Sequence, residues 1–113
     1  MQIFLKSRHP EAALMRETVD RRVRFVLRRL SEQVPRADIH LVDVNGPRGG
    51  IDKRCQIELR MAGAGPVVVS AVAKDWRAAL DGALARAARH VLRAWRRAAT
   101  PRRPRQRLPE IES

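Results

Sequence analysis

Residues Ile51 to Ala62 read IDKRCQIELRMA, and within them Cys55, Ile57, Leu59 and Met61 alternate with Arg54, Gln56, Glu58 and Arg60. A period of two with one apolar and one wet side predicts a β-strand half buried in a sheet. This strand decides the fold class, because a sheet with one apolar face needs a layer of helices on that face and can leave the other to water.

Working toward the C-terminus, Gly63-Ala64-Gly65-Pro66 predicts a turn, and Val67 to Ala73 (VVVSAVA) a further strand rich in β-branched residues. Asp75 is placed to cap a long helix from Trp76 to Ala99, whose apolar side is Trp76, Leu80, Ala83, Leu84, Ala87, Val91, Trp95 and Ala98. Working toward the N-terminus, Asn45 to Gly50 (NGPRGG) is a turn cluster and Arg36 to Asn45 a strand. From Glu11 to Gln33 the residues Val19, Val23, Val26, Leu27, Leu30 and Val34 recur at helical spacing until Pro35 stops the pattern. Pro10 suits the first turn of that helix, and Met1 to Lys6 (MQIFLK) reads as the first strand.

The predicted class is therefore α+β: a single domain of order β-α-β-β-β-α, with a four-stranded mixed sheet and two helices packed on one face. Strands one and two, joined by a helix, should run parallel if they are neighbours; the later ones should form an antiparallel meander. Residues 1–99 are expected to make the binding domain. Residues 100–113, TPRRPRQRLPEIES, carry three prolines and no periodicity, and are expected to be a disordered basic tail rich in Pro and Arg.

Across 113 residues, 24 Lys+Arg face 12 Asp+Glu, a formal net charge of +12 and a sequence pI near 11.7. Such an excess predicts a polyanionic partner reached with a steep salt dependence. Membrane insertion is not expected, since no apolar run approaches the ~20 residues that a spanning helix needs, and a cytoplasmic location is. Cys55 is expected in the core, and His9, His40 and His90 lack metal-ligand spacing. No metal, cofactor or small-molecule substrate is expected. With no paired carboxylates and no triad, the chain does not read as an enzyme.

All but three of the cationic residues are arginine, the lysines being Lys6, Lys53 and Lys74. Arginine grips phosphate bidentately and stacks on bases. On the long helix Arg86, Arg89, Arg93, Arg96 and Arg97 recur with His90 beside them, and only Asp81 interrupts the positive charge. A merely solvated helix face mixes signs to form i,i+4 pairs, and here the acids are missing. The first helix carries Arg21, Arg24 and Arg28, flanked by Arg22 and Arg29, with Glu17, Asp20 and Glu32 diluting them. If both helices lie on one face, these rows border a single positive ridge or groove. These eleven residues are the predicted RNA contacts. Phe25 is placed either to stack on an exposed base or, the favoured reading, to pack against the neighbouring helix. The glycine-rich segment 45–55 lacks P-loop spacing and reads as a hairpin turn, so Arg48, Lys53, Arg54 and Lys74 are secondary RNA contacts at most.

From Ser70 to Arg97 (SAVAKDWRAALDGALARAARHVLRAWRR) the chain resembles the bacterial hibernation-promoting factor and ribosome-associated inhibitor A family, also called the sigma-54 modulation family. Asp75, Ala78, Ala79, Leu80 and Asp81 occupy the family's signature, and Arg86, Arg89, Arg93 and Arg97 fall where its helix carries Lys or Arg. Arg77 stands where an aromatic is common, and Trp95 interrupts the basic series. The resemblance implies the same β-α-β-β-β-α fold and a site on the small ribosomal subunit and its rRNA. There, between head and body, a monomer would overlap the tRNA and mRNA positions and hold the ribosome inactive under stress. The dimerisation domain of long members has no counterpart in these residues. Two other readings stay open: a generic RNA- or DNA-binding module of similar topology, and a regulatory protein that binds an acidic protein partner.

Overall fold

The computed structural model describes residues 1–44 and 53–99. Its elements are β1 (Gln2–Lys6), α1 (Pro10–Ala13), α2 (Arg16–Val26), a 3₁₀-helix (Arg28–Gln33), β2 (Arg36–Asp43), β3 (Lys53–Arg60), β4 (Val67–Ala73) and α3 (Trp76–Ala99). The sheet has the order β1-β2-β3-β4, with β1 and β2 parallel and the other two pairs antiparallel. The α+β class, the antiparallel meander of the later strands and the helical layer on one face follow the sequence expectation.

Register explains how alternation becomes layering. Ile57 pairs with Ile39 on one side and Val69 on the other. Leu59 opposes Ala37, and Cys55 opposes Leu41. All of these residues are buried under the helices, with Arg54, Gln56, Glu58 and Arg60 alternating onto the outer face. That outer face is uncovered. The turn between β3 and β4 places Gly63 at φ 76°, a left-handed conformation that a side chain would strain.

α3 starts where its cap predicts, since Asp75 Oδ1 accepts the Ala78 backbone N–H at 2.7 Å. Its core side is Trp76, Ala79, Leu80, Ala83, Leu84, Ala87, Val91 and Ala94. The alanines let the helix lie close on the sheet, and a Cβ on Gly82 would meet the Ala71 Cβ at 3.2 Å. Trp95 departs from expectation at 39% exposed, although it follows the buried Val91 by four residues on the same side of the helix. The side chain of Ala98 lies outside the described residues, as do residues 45–52 and the expected tail from 100 onward.

The single first helix expected over Glu11 to Gln33 is instead three pieces. The Met15 N–H bonds to the Ala12 carbonyl, an i→i−3 bond that ends α1, and Leu14 beside it is 85% exposed. After Leu27 the chain tightens into the 3₁₀-helix. Pro35 disfavours the α region at Val34, which sits at φ −125°, ψ 87°, so the last turns give up α geometry before the strand. The core face survives the breaks: Ala12, Val19, Val23, Leu27 and Val34 are fully buried, while Val26 and Leu30 pack at its margin.

Burial pushes the Cys55 thiol up to about 12 from its ordinary 9.0. A raised folded-state value favours the neutral thiol in the fold. The stability this contributes is therefore intact below pH 9 and declines as pH climbs toward 12. Native protein at pH 8 is expected to resist a soluble disulfide reagent and to react fully once unfolded in urea. Rapid labelling of the native thiol would show that Cys55 is not in the core.

Candidate nucleic-acid interface

The arginine rows ride on the helical layer. α2 packs on α3 and over β1, and α3 covers β3 and β4. Between the helices, Arg22 Nη2 lies 3.0 Å from Asp81 Oδ1, and Arg77 shares the other carboxylate oxygen at 3.4 Å. Asp81, which reads in the sequence as a lone interruption, is thus the clamp across the helix seam. Arg22, expected to contact RNA, is committed to it. The lone acid in an otherwise positive run was the available signal for this pairing.

On the other flank of α3, Arg86 Nη1 donates to the Ser70 carbonyl of β4 at 3.1 Å. Arg89, His90, Arg93, Arg96 and Arg97 are exposed. Among the described residues Arg89, His90, Arg93 and Arg97 make no hydrogen bond or ion pair, and no acid follows Asp81 on the helix. These guanidinium groups keep all their donors for a ligand. The Arg22–Asp81 pair joins the two helices that carry the rows.

On α2, Arg24 is held by Asp20 at 3.1 Å and by the Met1 carbonyl at 3.2 Å, so its charge is countered by a carboxylate one turn away. Arg28 Nη1 donates to the Phe25 carbonyl at 2.7 Å, which lays its guanidinium 4.3 Å from the centre of the Phe25 ring. Phe25 itself is 57% exposed and does not pack against the neighbouring helix. The apolar stripe of α2 is filled by its valines, and Phe25 falls on the opposite side. Arg21 and Arg29 are exposed without partners among the described residues.

The secondary candidates scatter. Lys53 Nζ is 3.3 Å from Asp43 and 5.5 Å from the Trp76 ring, with His9 on the same tryptophan at 5.7 Å, so Lys53 closes the end of the core and is turned away from solvent. Arg54 is exposed on the outer sheet face, opposite the helices, and Lys74 is exposed before α3. Arg48 lies outside the described residues.

The outer sheet face differs in charge from the ridge. Arg36 is hydrogen-bonded to both carboxylate oxygens of Asp38, which raises its guanidinium above its ordinary value, and it stacks on Phe4 at 4.3 Å. Asp38 opposes Glu58 across the β2–β3 pair. Asp38 and Glu58 thus sit among Lys6, Arg36, Arg54 and Arg60, so this face mixes signs, whereas α3 beyond Asp81 carries cations alone. No group of His, Cys, Asp and Glu among the described residues is arranged to hold a metal ion. No described helix is long and apolar enough to cross a membrane.

No protein-family model and no curated protein matches the chain. Solved structures do. The N-terminal domain of Protein Y from Thermus thermophilus superposes with a TM-score of 0.60 at 27% identity, over 82% of this chain and 98% of that one. A ribosomal subunit interface protein from Coxiella burnetii superposes with a TM-score of 0.61 over 82% of this chain and 96% of its own. At 13% identity this second likeness speaks for the fold alone. The β-α-β-β-β-α order, the Asp75-to-Asp81 signature on α3 and these neighbours agree, and the chain is similar in fold and signature to the hibernation-promoting factor family.

Proposed function

We propose that this chain is a ribosome-associated hibernation factor, which binds the small ribosomal subunit through rRNA and inhibits translation by occupying the tRNA and mRNA region. The observation that carries the reading is the outer surface of α3 beyond Asp81, which holds no acid and where Arg89, His90, Arg93 and Arg97 stand exposed and unpaired among the described residues. Folded rRNA offers phosphates at many angles, and a row of exposed arginines with all their donors available can meet them. The chain acts in the cytoplasm as a monomer, residues 1–99 bind, and Arg102, Arg103, Arg105 and Arg107 add phosphate contacts. No chemistry is asked of it.

The deciding experiment is sucrose-gradient co-sedimentation with small subunits and whole ribosomes across a salt series, with excess tRNA as competitor. Retention despite the competitor is expected, with affinity falling steeply as salt rises. Loss to any added RNA would leave a generic RNA binder. Protein remaining at the top of the gradient at low salt would instead favour an acidic protein partner.

A further inference from the structure

The chain has two phenylalanines, two tryptophans and no tyrosine, and only Trp76 is buried. The core is aliphatic, so the other aromatic rings are not needed to fill it. Phe4, Phe25 and Trp95 stand 39%, 57% and 39% exposed, and both phenylalanines carry a guanidinium over the ring at 4.3 Å. Exposed rings beside arginines are how proteins hold unpaired nucleotides, because every base has a π-face to stack on.

The two phenylalanines differ in what surrounds the stacked arginine. At Phe4, Arg36 is bound to Asp38, and Glu58 stands opposite Asp38 on the next strand. A phosphate arriving there meets two carboxylates. At Phe25, Arg28 is held by a backbone carbonyl alone, with no carboxylate in the contact. Arg21, one turn earlier on the same side of α2, and Arg29, just after, are exposed and unpaired among the described residues. The hydrogen bond from Arg28 to the Phe25 carbonyl fixes the guanidinium against one side of the ring and leaves the other side to solvent.

We propose that Phe25 and Arg28 form a stacking subsite for one unpaired RNA nucleotide, its base lying on the open side of the Phe25 ring and its flanking phosphates held by Arg21 and Arg29. This inference rests on the reading that the helical ridge meets RNA, and it adds a selectivity. The arginines of α3 grip phosphates of any RNA, whereas the Phe25 subsite admits only a base free of its pair.

The test uses the full chain with Phe25→Leu, Phe25→Trp and Phe4→Leu variants. Binding is read by fluorescence anisotropy on a single-stranded RNA ten-mer and on a duplex of the same length, and separately by sedimentation with small subunits. Phe25→Leu is expected to weaken single-strand binding about tenfold while changing duplex binding less than about twofold. Phe25→Trp should bind the single strand at least as well as the unsubstituted chain, and Phe4→Leu should match it. Equal single-strand affinity for Phe25→Leu overturns the subsite, as does an equal loss on duplex. If the unsubstituted chain ignores ribosomal subunits yet Phe25→Leu still loses the single strand selectively, the subsite stands and the ribosomal reading fails.

Discussion

Replacing Arg89, Arg93 and Arg97 together by glutamate is expected to abolish binding to ribosomal subunits near physiological salt and to leave the fold intact. The three recur every four residues along α3, so they present to one surface, and none is engaged within the protein among the described residues. Arg86 is left in place because it ties α3 to the Ser70 carbonyl. The exchange halves a formal net charge of +12 and places repulsion at the centre of the ridge. Each phosphate that the protein no longer neutralises takes ~0.7–0.9 off the slope of log affinity against log salt, so the slope should shallow by about two to three. The affinity itself should fall on the order of a hundredfold, since repulsion adds to the missing attraction. Thermal stability should change little. Glutamate for Arg97 in the last part of α3 opposes the helix dipole, at a cost of about 0.3–1 kcal/mol. Gradient sedimentation and a circular-dichroism melt check the two halves. A variant that melts early would mean these side chains support the fold; one that binds undiminished would move the interface away from α3.

The fold was legible because its signals are local and redundant. Alternation at Cys55, Ile57 and Leu59, the Asp75 cap and the proline at position 35 each state their element without help from the others. The breaks at Leu14 and after Leu27 were not legible, since the apolar spacing from Val19 to Val34 is compatible with one continuous helix and the chain chose otherwise in the tertiary context. The ridge was legible in part, for the same reason. A row of arginines on a helical wheel shows which side is wet, but not which members are already spoken for. Arg22 on Asp81 and Arg86 on Ser70 are contacts set by packing, the first between elements far apart in sequence, whereas Arg24 on Asp20 is a local i,i+4 pair. For Phe25 the favoured reading is packing against the neighbouring helix, but its 57% exposure, with Val19, Val23 and Leu27 filling the core side, puts the ring in water instead.

The opposite separation, stability without change in the ligand-facing arginines, is expected from Ile57→Ala. Ile57 is fully buried at the centre of β3, between Ile39 and Val69 on the adjoining strands and beneath the apolar side of α3. Neighbours on both strands are fixed by the hydrogen-bond ladder and cannot close the space, so the truncation leaves a cavity. Such losses are worth about 2–5 kcal/mol, against a total of roughly 5–15 kcal/mol for a domain of this kind. The melting temperature should fall by roughly 10 to 25 °C, read by thermal denaturation. Because every arginine of the ridge is retained, RNA binding measured well below the new melting point should stay within about twofold per folded molecule. The α3 charge exchange and the β3 truncation thereby dissect the chain along its two layers of cause: the sheet and the aliphatic side of α3 make the fold, and the outer side of α3 uses it. A core variant that melted normally would mean the β3 register is misplaced. One that stayed folded but failed to bind RNA would mean the ridge depends on a shape of α3 that the sheet imposes, and charge alone would no longer account for binding.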